Sequence, residues 1–228
     1  MKTIGLLGGT GWSSSIKYYQ MLNELVHERL GGYHSAKILL KSIDYHEIMM
    51  HYGKNHEKIA QILRHEIQTF LPLQPDCLII CCNSLHKYYD RIASTLSITI
   101  PVFHAVHLVG EELQKRQSQK VLLLATKFTM EDGFFAKILE EKGIEVVIPE
   151  AKEREQMKII HAELMLNQIH ECSRDFFHQL MARYQDVDAI ILGCTEYSLL
   201  VNENTFPKPI IDPVYLQTLH AVNYALSE

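Results

Sequence analysis

Two cysteines with matching sequence surroundings are the residues best suited to do chemistry. Cys82 and Cys194 each follow a short apolar run, and each precedes a polar pair, Asn83-Ser84 or Thr195-Glu196. At the end of a strand and the start of a helix, a thiolate is stabilised by the free amides and partial positive charge of the helix N-terminus. Hydroxyls, amides and backbone N–H groups suit a carboxylate ligand, so we assign Asn83, Ser84 and Thr195 to bind one. The arrangement predicts thiol acid–base chemistry on a small acid.

The other three cysteines have a simpler interpretation. A cysteine in a buried strand is most often a small apolar core residue. This interpretation holds for Cys77, inside an apolar run, and for Cys172, which has no counterpart in the other half of the chain. Cys81 adjoins Cys82, but alternation along a strand points it to the opposite face. An odd cysteine count with two adjacent residues is typical of free thiols in a reducing compartment, so we expect a cytoplasmic protein.

Two turns add candidate binding residues. The segment Gly8–Gly11 completes neither a G-x-G-x-x-G motif nor a P-loop, so it does not predict a nucleotide site. It predicts a tight turn whose backbone at Gly9 and Thr10 approaches the ligand. At the equivalent place in the second half, Thr129 is a candidate hydrogen-bonding group and Lys127 a candidate partner for an anion. A helix cap and a solvated charge are the alternatives there.

The composition describes a globular chain without a recognisable cofactor motif. Of its 228 residues, 47% are hydrophobic and 21% charged, close to the globular average. The net charge is −5 with scattered basic residues, so we expect no nucleic-acid partner. No apolar run approaches the roughly 20 residues of a membrane span, and no signal peptide is evident, so we expect no membrane contact. The 13 histidines lack metal-ligand spacing, and pyridoxal and flavin motifs are absent, so neither a metal nor a cofactor is expected.

Short strands alternate with amphipathic helices along the chain. Tyr18, Leu22 and Val26 fall at i, i+4 and i+8, as on one face of a helix, and Phe177 with Met181 repeats the four-residue spacing later. Strand–helix alternation predicts an α/β fold with parallel sheets and right-handed crossovers. Apolar runs predict strands buried on both faces at Thr3–Leu7, Lys37–Ile43, Cys77–Cys81, Val102–His104, Val121–Ala125, Ile144–Ile148, Ala189–Leu192 and Pro209–Ile211.

The second half of the chain repeats the first. Lys2–Leu7 resembles Lys120–Ala125 at an offset of 118 residues (120 − 2). Leu78–Asn83 resembles Ile190–Thr195 at an offset of 112 residues (194 − 82). A period of about 110 residues is too long for a solenoid and predicts two copies of one small α/β domain.

The end of the chain sets the predicted domain boundaries. The last helix, Tyr215–Leu226, has no strand after it and would return to pack on the first domain. We therefore predict a discontinuous first domain at 1–103 plus 212–228 and a second domain at 104–211. Because ligands bind at the carboxyl ends of parallel strands, the two equivalent thiols would face one interdomain cleft.

These residues resemble the aspartate/glutamate racemase family of cofactor-independent amino-acid racemases. The resemblance implies two flavodoxin-like domains related by pseudo-two-fold symmetry, an active site in the cleft between them, and usually a homodimer. It also implies that Cys82 and Cys194 lie on opposite faces of the substrate Cα, with Cys81 an additional thiol. The similarity covers nearly the whole chain, through Ile4–Gly9, Leu30–Ala36, Cys82-Asn83-Ser84 with His86-Lys87, Lys127–Glu131 and Gly193–Glu196.

The family resemblance also bears on what holds the substrate side chain. Some aspartate-specific members use an Arg and a Lys for the distal carboxylate, and the corresponding places here fall near Ile48 and Met165. Met165 is therefore a candidate for the substrate pocket. Lys127 becomes the substitute candidate for recognising the distal charge.

The predicted reaction is inversion at Cα. A proton must leave one face and another must arrive on the opposite face, so one thiolate base and one thiol acid are needed. The polar residues after the thiols, with the Gly9–Thr10 turn, would bind the α-carboxylate and the charge that develops on it. We predict a racemase of a small acidic amino acid, aspartate or glutamate. The alternatives are a racemase of another small amino acid such as homoserine, a related Cys-dependent isomerase or decarboxylase, and a non-catalytic small-acid binding protein.

Overall fold

A computed structural model describes residues 1–201 and 206–228. The chain divides into two compact units, Met1–Ala105 with Val214–Glu228 and Val106–Pro213, so each boundary lies two residues from the predicted one. In chain order the described helices and strands are β1 (Ile4–Gly8), α1 (Trp12–Leu30), β2 (Ile38–Ser42), α2 (Tyr45–Met49), α3 (His56–Phe70), β3 (Cys77–Ile80), α4 (His86–Ile92), α5 (Ala105–Lys115), β4 (Lys120–Leu124), α6 (Lys127–Asp132), α7 (Phe134–Glu140), β5 (Glu145–Val147), α8 (Ala151–Met165), α9 (Glu171–Arg183), β6 (Ala189–Leu192), β7 (Ile210–Ile211) and α10 (Pro213–Leu226).

The first unit is a parallel sheet in the order β2-β1-β3. Alternate residues of β3 enter two different cores, Leu78 and Ile80 on one face and Cys77 and Ile79 on the other, because side chains along a strand alternate. Helices α3 and α4 contribute to the first core, and α1 and α10 to the second. Helix α10 belongs to this unit, and the Lys2 N–H donates to the carbonyl of Ala225 at 2.9 Å.

The second unit repeats this topology in the sheet order β5-β4-β6-β7. Val121 pairs with Ala189, as Ile4 pairs with Cys77 in the first unit. Equivalent residues of β1 and β4 are therefore 117 apart (121 − 4), and those of β3 and β6 are 112 apart (189 − 77). The predicted offset of 118 residues between the first strands of the two halves was wrong by one residue. Short apolar runs match in either of two registers, whereas the hydrogen bonds of the sheet allow only one.

The predicted strands at the sheet edges differ from the expectation of burial on both faces, and β5 has no fully buried residue. β2 is the edge of its sheet and its residues are only half-buried or exposed, because no strand covers its outer side. Val102–His104 forms no strand and makes a single parallel bridge from Val102 to Leu78. Among the described residues, every helix is too short or too polar to cross a membrane.

Candidate active site

The two motif cysteines occupy the same place in the two repeated units. Cys82 lies two residues beyond the end of β3, and Cys194 two residues beyond the end of β6. Both have extended backbones, with φ −152° and ψ 115° at Cys82 and φ −128° and ψ 127° at Cys194. Each thiol is thus carried by the carboxyl end of a strand that pairs with the first strand of its own sheet.

The helices expected directly after the cysteines are replaced by tighter turns. A 3-10 turn over Asn83–Leu85 follows Cys82, and α4 starts only after it; a 3-10 segment over Thr195–Leu199 follows Cys194. Such short segments carry little macrodipole. The expected α-helix macrodipole is therefore missing directly after each cysteine, and individual hydrogen bonds, including those from backbone amides of the 3-10 turn after Cys82, act on the thiol instead.

Cys82 is surrounded by hydroxyl and amide donors. Its Sγ lies 3.3 Å from the Ser84 Oγ and also receives hydrogen bonds from the Thr10 side chain and from the backbone N–H groups of Ser84 and Leu85. Burial raises the pKa of the Cys82 thiol, while these hydrogen bonds lower it. Burial has the larger effect, so Cys82 is mainly protonated at neutral pH, and the donors stabilise its thiolate once it forms.

The remaining cysteines lie apart from this chemistry. Cys81 packs in the core on the face of the sheet opposite the one that Cys82 contacts, as alternation predicted. Burial raises the pKa of Cys77 to about 12 and that of Cys81 well above its ordinary value. Both thiols are therefore inert, Cys172 is exposed, and none of the five cysteines is in a disulfide.

Cys194 has a carboxylate and an imidazole as neighbours. The Cys194 thiol donates to Oε2 of the buried Glu196 at 2.8 Å, and the Thr195 hydroxyl donates to the same oxygen at 2.8 Å. The donor atoms of Cys194, Glu196 and His161, which we call the Cys194 cluster, all lie within 4.8 Å of one another. Burial lowers the pKa of His161 against the opposing influence of Glu196, so its imidazole is neutral near pH 7. His161 and Glu196 can therefore exchange protons with the Cys194 thiol. The nitrogen, sulfur and oxygen donors of the cluster also suit Zn²⁺.

The Gly9–Thr10 turn lies beside Cys82 in the first unit. Gly9 has φ +88°, and a Cβ there would lie 2.2 Å from the Ile43 carbonyl oxygen, so only glycine fits. Its N–H donates to the Ser15 Oγ at 2.9 Å. The Thr10 hydroxyl lies between two acceptors: it donates to the Cys81 carbonyl at 3.3 Å, and it can turn its proton to the Cys82 sulfur when the thiolate forms. The turn thus holds Cys82 in place, and the Gly9 amide already has a partner.

The other predicted binding residues occupy varied surroundings. Asn83 and Thr129 are buried, and the Thr129 N–H donates to the Thr126 hydroxyl that caps α6. Lys127 forms ion pairs with Glu155 and, at 3.9 Å, with Glu131, which matches the alternative of a solvated charge.

Met165 is the half-buried last residue of α8 and lies one helical turn beyond His161. Residues four apart share a helix face, so Met165 is placed on the side of α8 that carries His161.

Three residues of these surroundings were not assigned a role from the sequence. His161 falls between the buried Met157 and Leu164 of α8, so helical spacing could have placed it on the inner face. Glu196 adjoins a predicted site residue, but nothing in the sequence shows that it is buried. Tyr52, whose hydroxyl lies 2.7 Å from the Ser84 Oγ, follows α2 in a segment without any periodic signal.

Comparison with known proteins identifies the family. The family model described as Asp/Glu/hydantoin racemase matches residues 7–221. The chain belongs to this family of racemases. The structure is similar to one from Yersinia pestis provisionally named an Asp/Glu racemase, with 37% identity, a TM-score of 0.88 and full coverage of both chains. It is also similar to an aspartate racemase homologue from Pyrococcus horikoshii OT3, with 28% identity, a TM-score of 0.86 and full coverage of both chains. The broad specificity amino-acid racemase RacX of Bacillus subtilis is 22% identical over 92% of each chain.

Family membership confirms the racemase prediction and the two-domain α/β fold class. It establishes an enzyme of the racemase class, whose substrate and proton-transfer groups are the subject of the proposal that follows.

Proposed function

We propose that this protein is a cofactor-independent racemase of a small acidic amino acid, aspartate or glutamate, with Cys82 and Cys194 acting on opposite faces of Cα. The observation that supports it most is the matched position of the two thiols, each two residues beyond the equivalent strand of a repeated unit. A reaction that removes a proton on one face and adds one on the other needs two such groups.

The neighbours of the thiols suggest different starting roles. Hydroxyl and amide donors around Cys82 stabilise negative charge on sulfur, which suits the base. The Glu196 carboxylate accepts the S–H of Cys194, which suits the acid. In one direction the Cys82 thiolate takes the Cα proton, the C–H electron pair remains as the carbanion, and the Cys194 thiol protonates the other face. Asn83, Ser84 and Thr195 bind the α-carboxylate and the charge it acquires.

A second candidate substrate class follows from the residues that were assigned to the distal end of the substrate side chain. Ile48 is fully buried in the first core and Met165 is apolar, so neither offers a charge to a distal carboxylate. Lys127 is engaged by Glu155. A small amino acid with an uncharged polar side chain, such as homoserine, therefore stays an alternative to aspartate and glutamate.

Exchange of the Cα hydrogen in deuterated water tests the proposal. The protein is incubated separately with aspartate, glutamate and homoserine, and both deuterium uptake and optical rotation are followed. Cys82→Ser and Cys194→Ser should each reduce racemisation by at least about 10³-fold, because each removes one of the two proton-transferring groups. Cys172→Ser, on the surface, is the matched control. Wild-type racemisation in either active-site variant would rule out the two-thiol assignment.

Assembly and location are also proposals. We expect a homodimer acting in the cytoplasm, where its five free thiols would stay reduced. Trp12, Ile16, Tyr19 and Leu40 form an exposed apolar surface on α1 and β2, with side chains 47–63% exposed, of the kind that a partner subunit covers. Sedimentation velocity of the wild type and of Ile16→Glu measures the assembly, and a monomeric wild type would contradict it.

A further inference from the structure

A chain of hydroxyl groups leads away from Cys82 within the first unit. The Cys82 Sγ lies 3.3 Å from the Ser84 Oγ, and the Ser84 Oγ lies 2.7 Å from the Tyr52 hydroxyl. Tyr52 is hydrogen-bonded in turn to the side chain of the half-exposed Tyr45. Three hydroxyls thus connect the thiol to the side of the unit that carries α2.

A two-thiol racemase needs a way to reset its protonation state. After one turnover the thiol that began as base holds a proton, and the one that began as acid has lost its own. A second turnover in the same direction requires a net proton movement from the first sulfur to the second, by way of solvent. The Cys82 thiol is only partly exposed, and the Ser84 Oγ at 3.3 Å offers its proton a hydrogen-bonded route away from the sulfur.

We propose that Ser84, Tyr52 and Tyr45 form a proton relay that returns Cys82 to its thiolate form between turnovers. This inference rests on the two-thiol mechanism proposed above. The Cys82 S–H proton passes to the Ser84 oxygen as the Ser84 proton passes to Tyr52, the Tyr52 proton to Tyr45, and the Tyr45 proton to a water or buffer base. Each hydroxyl gains one proton and loses one, and the S–H electron pair remains on sulfur as the thiolate.

The chemistry of the three groups fits a relay. A hydroxyl both donates and accepts a hydrogen bond, so each can pass a proton without being left charged. Burial raises the pKa of Tyr52 well above its ordinary value, with the nearby Cys82 adding to the shift. Tyr52 therefore stays protonated while Cys82 is a thiolate. It passes a proton along the relay without itself becoming the base.

The aromatic surroundings provide a matched control. Tyr88 packs edge-to-face on Tyr52 with ring centroids 6.1 Å apart, but its hydroxyl bonds to Nδ1 of His56 at 2.8 Å. Tyr88→Phe removes a hydroxyl from the same cluster without removing a member of the relay. Tyr52→Phe keeps the ring and removes the central link.

The test measures steady-state racemisation of whichever of aspartate, glutamate and homoserine the wild type turns over. A slow reset limits kcat but not kcat/KM, because kcat/KM includes only the steps from free enzyme in its competent form. In Tyr52→Phe we expect kcat and KM to fall together by about tenfold, with kcat/KM within about twofold of wild type. Added imidazole, a small base that replaces the missing link, should restore kcat. Tyr88→Phe should match the wild type throughout.

Other results overturn the relay in distinguishable ways. An unchanged kcat in Tyr52→Phe would show that Cys82 resets by another route. A parallel loss of kcat and kcat/KM that imidazole does not restore would show that Tyr52 only supports the structure around Ser84. Failure of the wild type to racemise any of the three amino acids would instead count against the proposed function.

Discussion

Replacing Ser84 by alanine should make Cys82 markedly less reactive. The change removes the hydroxyl 3.3 Å from Sγ and leaves the other donors to the thiol in place. A hydrogen bond to an ionised group contributes about 1.5–3 kcal/mol, and the low end suits a sulfur acceptor at this distance. Losing about 1.5 kcal/mol of thiolate stabilisation raises the pKa of Cys82 further and leaves roughly tenfold less thiolate at a given pH. Because the thiolate is the nucleophile, alkylation should slow by the same factor.

The assay needs no substrate, so it is independent of the proposed function. Folded protein is treated with iodoacetamide between about pH 7 and 9, and labelling of each cysteine is followed by peptide mass spectrometry. The exposed Cys172 is an internal reference, and the buried Cys77 and Cys81 should stay unlabelled while the protein is folded. Ser198→Ala, which removes a hydroxyl that donates to the Thr195 carbonyl in the other unit, is the control. If Cys82 in Ser84→Ala labels at the wild-type rate relative to Cys172, the hydrogen bond does not stabilise the thiolate.

Three further outcomes are expected. Gly9→Ala should lower the free energy of unfolding in urea by about 2–3 kcal/mol, because its Cβ would collide with the Ile43 carbonyl at a positive φ; an unchanged midpoint would contradict the strain. Racemisation should increase as pH rises above neutrality, since burial raises the pKa of Cys82 and its thiolate forms only at higher pH; a rate that falls from neutral to mildly alkaline pH would refute this. Zn²⁺ should inhibit reversibly at the Cys194 cluster, and Glu196→Gln should weaken zinc affinity by at least about tenfold, measured by competition with a chromophoric chelator; equal affinity in both proteins would exclude this site.

The central strands were predictable because their residues are buried on both faces. Ala189–Leu192 has the bounds that its apolar run predicted, and β3 begins at Cys77 as expected. The burial of the edge strands was not predictable, because the outer side of an edge strand has no neighbouring strand to cover it. β2 keeps its Ile and Leu residues but is not fully buried, and the run at Val102 makes only one bridge.

The repeat located the thiols but could not identify their neighbours. Cys82 and Cys194 were predicted because they occupy the same place in both halves, a signal that needs no structure. Tyr52 lies between α2 and α3 and His161 lies in α8, both far from the thiols in sequence, and neither belongs to a repeated motif. Their roles depend on which side chains the packing brings within hydrogen-bond distance, and a one-dimensional period carries no such information.

The difference between the two thiol environments has a chemical reason in a two-thiol mechanism. The proposed mechanism needs one sulfur protonated and the other ionised at the same time. Two thiols with identical surroundings would have the same affinity for protons, so neither would be preferred as the thiolate or as the thiol. The repeated backbone gives Cys82 and Cys194 equivalent positions, whereas donors surround the first and the Glu196 acceptor contacts the second. Burial keeps both sulfurs mainly protonated near pH 7, but the donors around Cys82 make it the sulfur that ionises more readily, so in the proposed mechanism Cys82 starts as the base and Cys194 as the acid.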